Sequence, residues 1–191
     1  MMKLILAFLM LTVPAYAGLG IGVTPYPGPG IAGTAAAVTM EILTPTYMNS
    51  DWAKTGAASA LVTVTDDDDG TYFSTAAASN AQQLQMSDVV NSALPITSVR
   101  LCIRTKVAST ASDLRLRLHN GTDYASFFPD PKTITGTTMA DVCTNNMAQN
   151  PYTESAWTAS ALNAFDWYVN TGGDSIGSTV TVSKIWAEVN Y

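Results

Sequence analysis

Residues 96–107, ITSVRLCIRTKV, alternate in character with a period of two. Val99, Leu101, Ile103, Thr105 and Val107 have one parity; Arg100, Cys102, Arg104 and Lys106 have the other. DLRLRLH repeats the pattern, with Leu114, Leu116 and Leu118 against Arg115, Arg117 and His119. Such alternation lines one face of a pleated strand with apolar side chains and leaves the other face to water. Two long half-buried strands in succession commit the chain to an antiparallel β architecture. Asn120-Gly121 follows His119, and Asn-Gly is a strong hairpin signal because a type I′ turn needs positive φ at both central residues. DYASFF then reads as the returning strand.

Further short strands are expected at VTMEIL (38–43), ALVTVT (60–65), TYFST (71–75) and TITGTTM (133–139), with a weaker candidate at 82–90. NPYTESAWT (150–158) reads as a turn. One short helix is expected near 159–168, from ALNAFDWYV, with Thr158 or Ser160 as its cap. The last run, TVTVSKIWAEVNY, changes parity part-way. Val180 and Val182 are in one register, while Ile185, Ala187, Val189 and Tyr191 are in the other. That predicts a β-bulge near Ser183-Lys184. About eight or nine strands with at most one helix indicate an all-β, two-sheet antiparallel β-sandwich, jelly-roll-like, over 38–191.

The amino terminus predicts the compartment. MMKLILAFLMLTVPAYA has a charged start, a short apolar run and Ala15-Tyr16-Ala17. This is the pattern of an export signal cleaved after Ala17, giving a secreted or cell-surface protein. Residues 18–37 are rich in Gly and Pro and read as an extended arm or linker. The arm carries Ile21, Val23, Tyr26 and Ile31, which suits contact with a neighbouring subunit or surface, hence a homo-oligomer or a larger assembly. An even count of cysteines in an exported chain predicts a disulfide between Cys102 and Cys143. Cys102 shares a parity with the arginines, so it belongs on the outer side of its strand.

Charge and motifs narrow the chemistry. Net charge is −6, which argues against nucleic acid as a partner. His119 is the only histidine, too few for a zinc site and placed beside a turn rather than in a triad. Glu41, Glu154 and Glu188 are the only glutamates, and none stands in a recognisable glycosidase site. A non-catalytic protein is therefore expected.

Three groups are candidate sites. The first is the acidic run Asp66, Asp67, Asp68 and Asp69. As an EF-hand it fails, because Gly70 at position 6 puts Thr65 first and Ala76 where a bidentate Glu is needed. It remains a solvated hairpin turn with Gly70 left-handed, a looser calcium site, or a partner contact. The second is the outward set Arg100, Arg104, Lys106, Arg115 and Arg117. If their strands pair, this is one basic patch, either balanced by cross-strand acids such as Glu188 or docking an anionic polymer or acidic partner. The third is Trp186, which shares parity with Lys184, Glu188 and Asn190 and so faces outward as a platform for a sugar ring.

The order DWAKTG, DDDDGTYF, LPITSVRLCIR, LRLRLHNGT, NPYTESAWTASALNAF and VSKIWAEVNY across 51–191 resembles a β-sandwich domain of phage structural proteins and secreted bacterial proteins. The resemblance implies a non-catalytic module for assembly or attachment and brings no catalytic residues. The alternative is a carbohydrate-binding module, stiffened by calcium, that uses Trp186 or tyrosine side chains.

Overall fold

A computed structural model describes residues 39–56, 59–126 and 132–191. The export signal at 1–17, the arm at 18–37 and Phe127-Phe128 of the returning strand lie outside the described residues. The elements, in chain order, are β1 (Met40–Leu43), β2 (Pro45–Ser50), β3 (Ala53–Thr55), α1 (Ala60–Thr65), β4 (Tyr72–Thr75), β5 (Ala81–Met86), β6 (Ser98–Val107), β7 (Ser112–His119), β8 (Tyr124–Ser126), β9 (Lys132–Ile134), β10 (Ala140–Cys143), α2 (Ala159–Asn163), β11 (Asp166–Ile176) and β12 (Val180–Asn190). Neither helix is long and apolar enough to cross a membrane.

The strands form two antiparallel six-stranded sheets, a jelly-roll-like β-sandwich. The first sheet runs β10-β6-β12-β4-β3, with β1 also on β12. There β4 takes Val180–Val182 and β1 takes Ala187–Asn190 along one edge of β12. The second sheet runs β2-β5-β11-β7-β8, with β9 also on β7. The core lies between the sheets. Val99, Leu101, Ile103, Val107, Phe73, Val182, Ile185, Ala187 and Val189 come from the first. Leu84, Leu114, Leu116, Leu118, Trp167 and Val169 come from the second. The members from β6 and β7 are the inward parities of the sequence pattern, and burying the whole set is the main driving force for closing the sandwich.

The predicted bulge is present in β12. Val182 faces Thr105 and Lys184 faces Arg104, so Ser183 is the extra residue. It lets Val180 and Val182 on one side of the bulge, and Ile185, Ala187 and Val189 on the other, all enter the core.

Four local expectations differ from the structure. ALVTVT is the helix α1, not a strand. Ser59 caps it by accepting from the Val62 N–H at 3.3 Å, and Thr63 and Val64 are buried while Val62 is exposed. The second helix stops at Asn163, and Asp166 begins the long central strand β11. The expected strand at 133–139 is strand only at 133–134, the end of β9; β10 begins beyond it, at Ala140, on the other sheet. The β7–β8 hairpin has a four-residue loop rather than a type I′ turn. Asn120 Oδ1 accepts from the N–H groups of Thr122 and Asp123 at 2.9 and 2.8 Å, and Gly121 takes the positive φ of 92°.

Candidate functional site

The outer faces of the two sheets differ in chemistry. On the first sheet Arg100, Arg104 and Lys184 are each paired with a carboxylate. Glu188 is 8% exposed and meets Arg100 Nη2 at 2.6 Å. Arg104 donates to Asp69 through Nε at 2.6 Å and Nη2 at 2.8 Å, and to Asp141 through Nη1 at 3.0 Å. Lys184 Nζ pairs with Asp67, and Ser183 Oγ donates to Asp69 Oδ1 at 3.0 Å. The bulge thus points both Ser183 and Lys184 at the acidic loop. The Arg104 fork holds the Asp69 carboxyl below the ordinary Asp value, against a smaller opposing effect of burial.

The acidic run is therefore not a hairpin turn between strands. It is the loop from α1 to β4, folded as a clasp over the basic face of β6 and β12. Asp66 accepts from Thr71 Oγ1 at 2.8 Å, and Asp68 Oδ1 accepts from the Gly70 N–H at 2.8 Å. Gly70 does not have positive φ; a Cβ there would stand 3.0 Å from Asp68 Oδ1. A calcium ion taking Asp67 and Asp69 would compete with Lys184 and Arg104 for the same oxygens.

Cys102 and Cys143 are bridged, as the sequence predicts. Cys102 does face outward, yet it is fully buried, with Cys143 opposite it on β10, Trp186 opposite it on β12 and Glu188 Oε1 3.5 Å away. Sulfurs in a disulfide have no thiolate to offer a metal. Trp186 is half-buried on this face. Its indole N–H donates to Glu188 Oε1 at 3.2 Å, and Lys184 Nζ lies 5.6 Å from its ring centroid. It is packed into the charged clasp rather than standing as an open platform.

The single basic patch does not form. Arg100, Arg104 and Lys106 are on β6 of the first sheet, whereas Arg115 and Arg117 are on β7 of the second. The two strands do not pair, so their outward side chains lie on opposite sides of the sandwich.

The outer face of the second sheet is a different surface. Strand register places Tyr47 beside Gln85, Asp166 beside His119, and His119 beside Tyr124. The next row holds Asn49, Gln83, Tyr168 and Arg117. Tyr47 and Tyr124 are 51% and 53% exposed. The rings of His119, Tyr124 and Tyr168 form a cluster, with centroids 4.5 Å apart for His119–Tyr124, 5.7 Å for His119–Tyr168 and 5.1 Å for Tyr124–Tyr168. Burial, then the neighbouring Tyr124, push the Tyr168 phenol up to about 12, so it stays protonated at neutral pH. Asp166 accepts from Gln83 Nε2 at 3.1 Å and more distantly from Gln85 Nε2 at 3.5 Å, which orients both amides.

The NPYTESAWT turn supports this face from behind. Tyr152 Oη lies 2.7 Å from Leu118 O and 2.8 Å from Asp123 O, so its one proton ties β7 to the β8 loop. Its ring packs on Phe165, centroids 5.3 Å apart, and Phe165 meets Trp157 edge-on.

Sequence reasoning missed most of this face. The sequence pattern places Asp166 and Tyr168 in the expected helix near 159–168, and Gln83 and Gln85 in the candidate strand at 82–90. The available signal was the period of two in Trp167, Val169 and Thr171 against Asp166, Tyr168 and Asn170.

No family model and no curated protein matches the chain. Solved structures with a similar arrangement include the CBM36-1 domain of a multidomain xylanase from the hindgut metagenome of Trinervitermes trinervoides. It has 7% identity and a TM-score of 0.47, covering 80% of this chain and 97% of that one. CBM32-1 from a family 31 glycoside hydrolase of Clostridium perfringens has 14% identity and a TM-score of 0.42, covering 78% and 96%. A xylan-binding domain from CBM 22 has 14% identity and a TM-score of 0.43, covering 77% and 96%. These are likenesses of architecture.

Proposed function

We propose that the chain is a secreted, non-catalytic carbohydrate-binding module whose glycan surface is the outer face of the second sheet. The observation that carries this is the His119–Tyr124–Tyr168 ring cluster, set on a strand face beside oriented Gln83, Gln85 and Asp166. Aromatic side chains contribute most when they are buried, so a cluster of them at a surface marks a contact site. A sugar ring offers a C–H face to an aromatic ring and hydroxyls to amides and carboxylates, and this surface has both. Tyr47 and Tyr124 end a row four strand spacings wide, about 19 Å, which is an oligosaccharide's length rather than a single sugar's. Tyr124 and Tyr168 stand at 81° to one another. Rings in one plane suit a flat insoluble surface; canted rings suit a single twisted chain in solution.

Glu41 and Glu188 are committed to structural bonds, with Tyr191 Oη 2.5 Å from Glu41 and Arg100 2.6 Å from Glu188. That supports binding without turnover. The test is affinity electrophoresis and calorimetry on soluble polysaccharides, beside an array of soluble glycans. Tyr124→Ala and Tyr168→Ala should each weaken binding about tenfold, the scale of an aromatic anchor, with unchanged circular dichroism. Silence across the array in the wild-type protein sinks the reading.

Self-assembly is a second reading, favoured by the edge strand β1. Met40 and Ile42 are 48% and 45% exposed there, and Val90 is 81% exposed. Light scattering with and without residues 18–37 decides it; a monomer in both removes it.

A further inference from the structure

A cavity of about 240 Å³ lies at the end of the second sheet, where β5 ends and β11 begins. Gln85 and Asp166 belong both to its lining and to the first row of the aromatic face. Thr46, Asp88, Asn163 and Phe165 also line it. We propose that this cavity is a subsite that takes one neutral sugar unit at the end of a glycan chain, which rests on the glycan-binding reading above. Main-chain termini and side branches qualify alike, since each presents one ring with one linkage.

Three observations lead there. The first is size. The cavity is below the roughly 300–1,000 Å³ typical of drug-sized ligands, so it suits a single ring. The second is the polar lining, which is already oriented. Asn163 Oδ1 accepts from the Val89 N–H at 2.9 Å, so its amide hydrogens remain as donors. Gln85 directs Nε2 toward Asp166, which leaves its Oε1 as an acceptor. Phe165, 9% exposed, also lines the cavity, whose open surface is mainly polar. Fixed donors and acceptors match the hydroxyls of a sugar ring. The third is charge. Asp88 and Asp166 both line the cavity, so a uronate or sulfated unit would meet two carboxylates, and like charges at this range repel.

The test is a titration of the isotopically labelled full mature chain, followed by amide chemical shifts. The probes are the methyl glycosides of glucose, xylose, galactose and mannose, and of glucuronic acid. At least one neutral glycoside should give saturable shifts at Ser87, Asp88, Asn163 and Ala164, and the glucuronoside should not. Ala164 is exposed and lines the cavity, so Ala164→Leu should fill it and abolish those shifts. If that variant fails to fold, Asp88→Ala at an exposed position should weaken the neutral glycoside by about two- to tenfold, the range of one hydrogen bond. Shifts confined to the strands of Tyr124 and Tyr168 overturn the subsite and leave the aromatic face intact. Equal binding of the glucuronoside overturns the assignment to neutral sugars. No response to any monosaccharide or soluble polysaccharide overturns both readings.

Discussion

Gln82 faces the core from β5 and is 1% exposed. Its Nε2 donates to Ala81 O at 3.1 Å, but its Oε1 has no partner among the described residues. A buried acceptor without a donor costs about 1–3 kcal/mol, whereas an apolar side chain of similar shape does not. Gln82→Leu should therefore stabilise the protein by about 1 kcal/mol in urea denaturation, and a loss of stability would show that the amide is satisfied. Asp69 acts in the opposite sense. Its carboxyl is held below the unfolded value of about 3.9 by the Arg104 fork. A depressed folded value gives stability that is complete above the unfolded value and is lost as pH falls through the folded one. The melting midpoint should fall as pH drops from about 5 toward 2, and Asp69→Asn should flatten part of that fall. The Asp69 side chain is 41% exposed, so salt should shrink the difference between the two proteins. Identical pH profiles would mean that the Arg104 fork contributes nothing.

At the scale of elements, the β7–β8 hairpin depends on a side chain from outside its own sheet. Tyr152 Oη reaches Leu118 O and Asp123 O from the turn before α2. Tyr152→Phe keeps the packing on Phe165 and removes only these bonds. It should cost about 1 kcal/mol and speed amide exchange at Tyr124 and Ala125 more than in β6 or β12. Uniform acceleration through both sheets would argue against a local tie. How well each element could be read from the sequence follows from how much of its own pattern it carries. β6 and β7 are long and strictly alternating, so their faces are legible without context. The β12 bulge shows as a change of parity. ALVTVT has strand composition, yet six residues give little periodicity. Its helix is decided by the Ser59 cap and by contact with β2 and β12. β11 was hidden because Leu162 and Phe165 have helical spacing directly before it, and Ala164 ends the turn only through its backbone. The aromatic site was illegible for a related reason. Its members come from β2, β5, β7, β8 and β11, and only the pairing order brings them together.

Across the whole sandwich the two outer faces carry different features. The first sheet carries the disulfide, the acidic clasp and the matched ion pairs; the second carries the exposed rings and the cavity. The division is testable through the disulfide. Cys102 and Cys143 are 41 residues apart and join β6 to the short edge strand β10, which among the described strands pairs only with β6. Closing a loop of that length in the unfolded chain stabilises by about 4 kcal/mol in the chain-entropy model. The double variant Cys102→Ala with Cys143→Ala should lose about 2–4 kcal/mol in urea, as should the wild-type protein under reductant. The sandwich should persist, because the bridge ties only the edge strand β10, while β12 and β11 hold the centres of the two sheets through strand pairing. Under the proposed glycan binding, affinity should stay within about twofold of wild type below the unfolding transition, since Tyr124, Tyr168 and Asp166 stand on the other sheet. A variant that keeps its stability would place the bridge outside the folding energetics. One that folds but loses glycan binding would show that the two faces are coupled through the core.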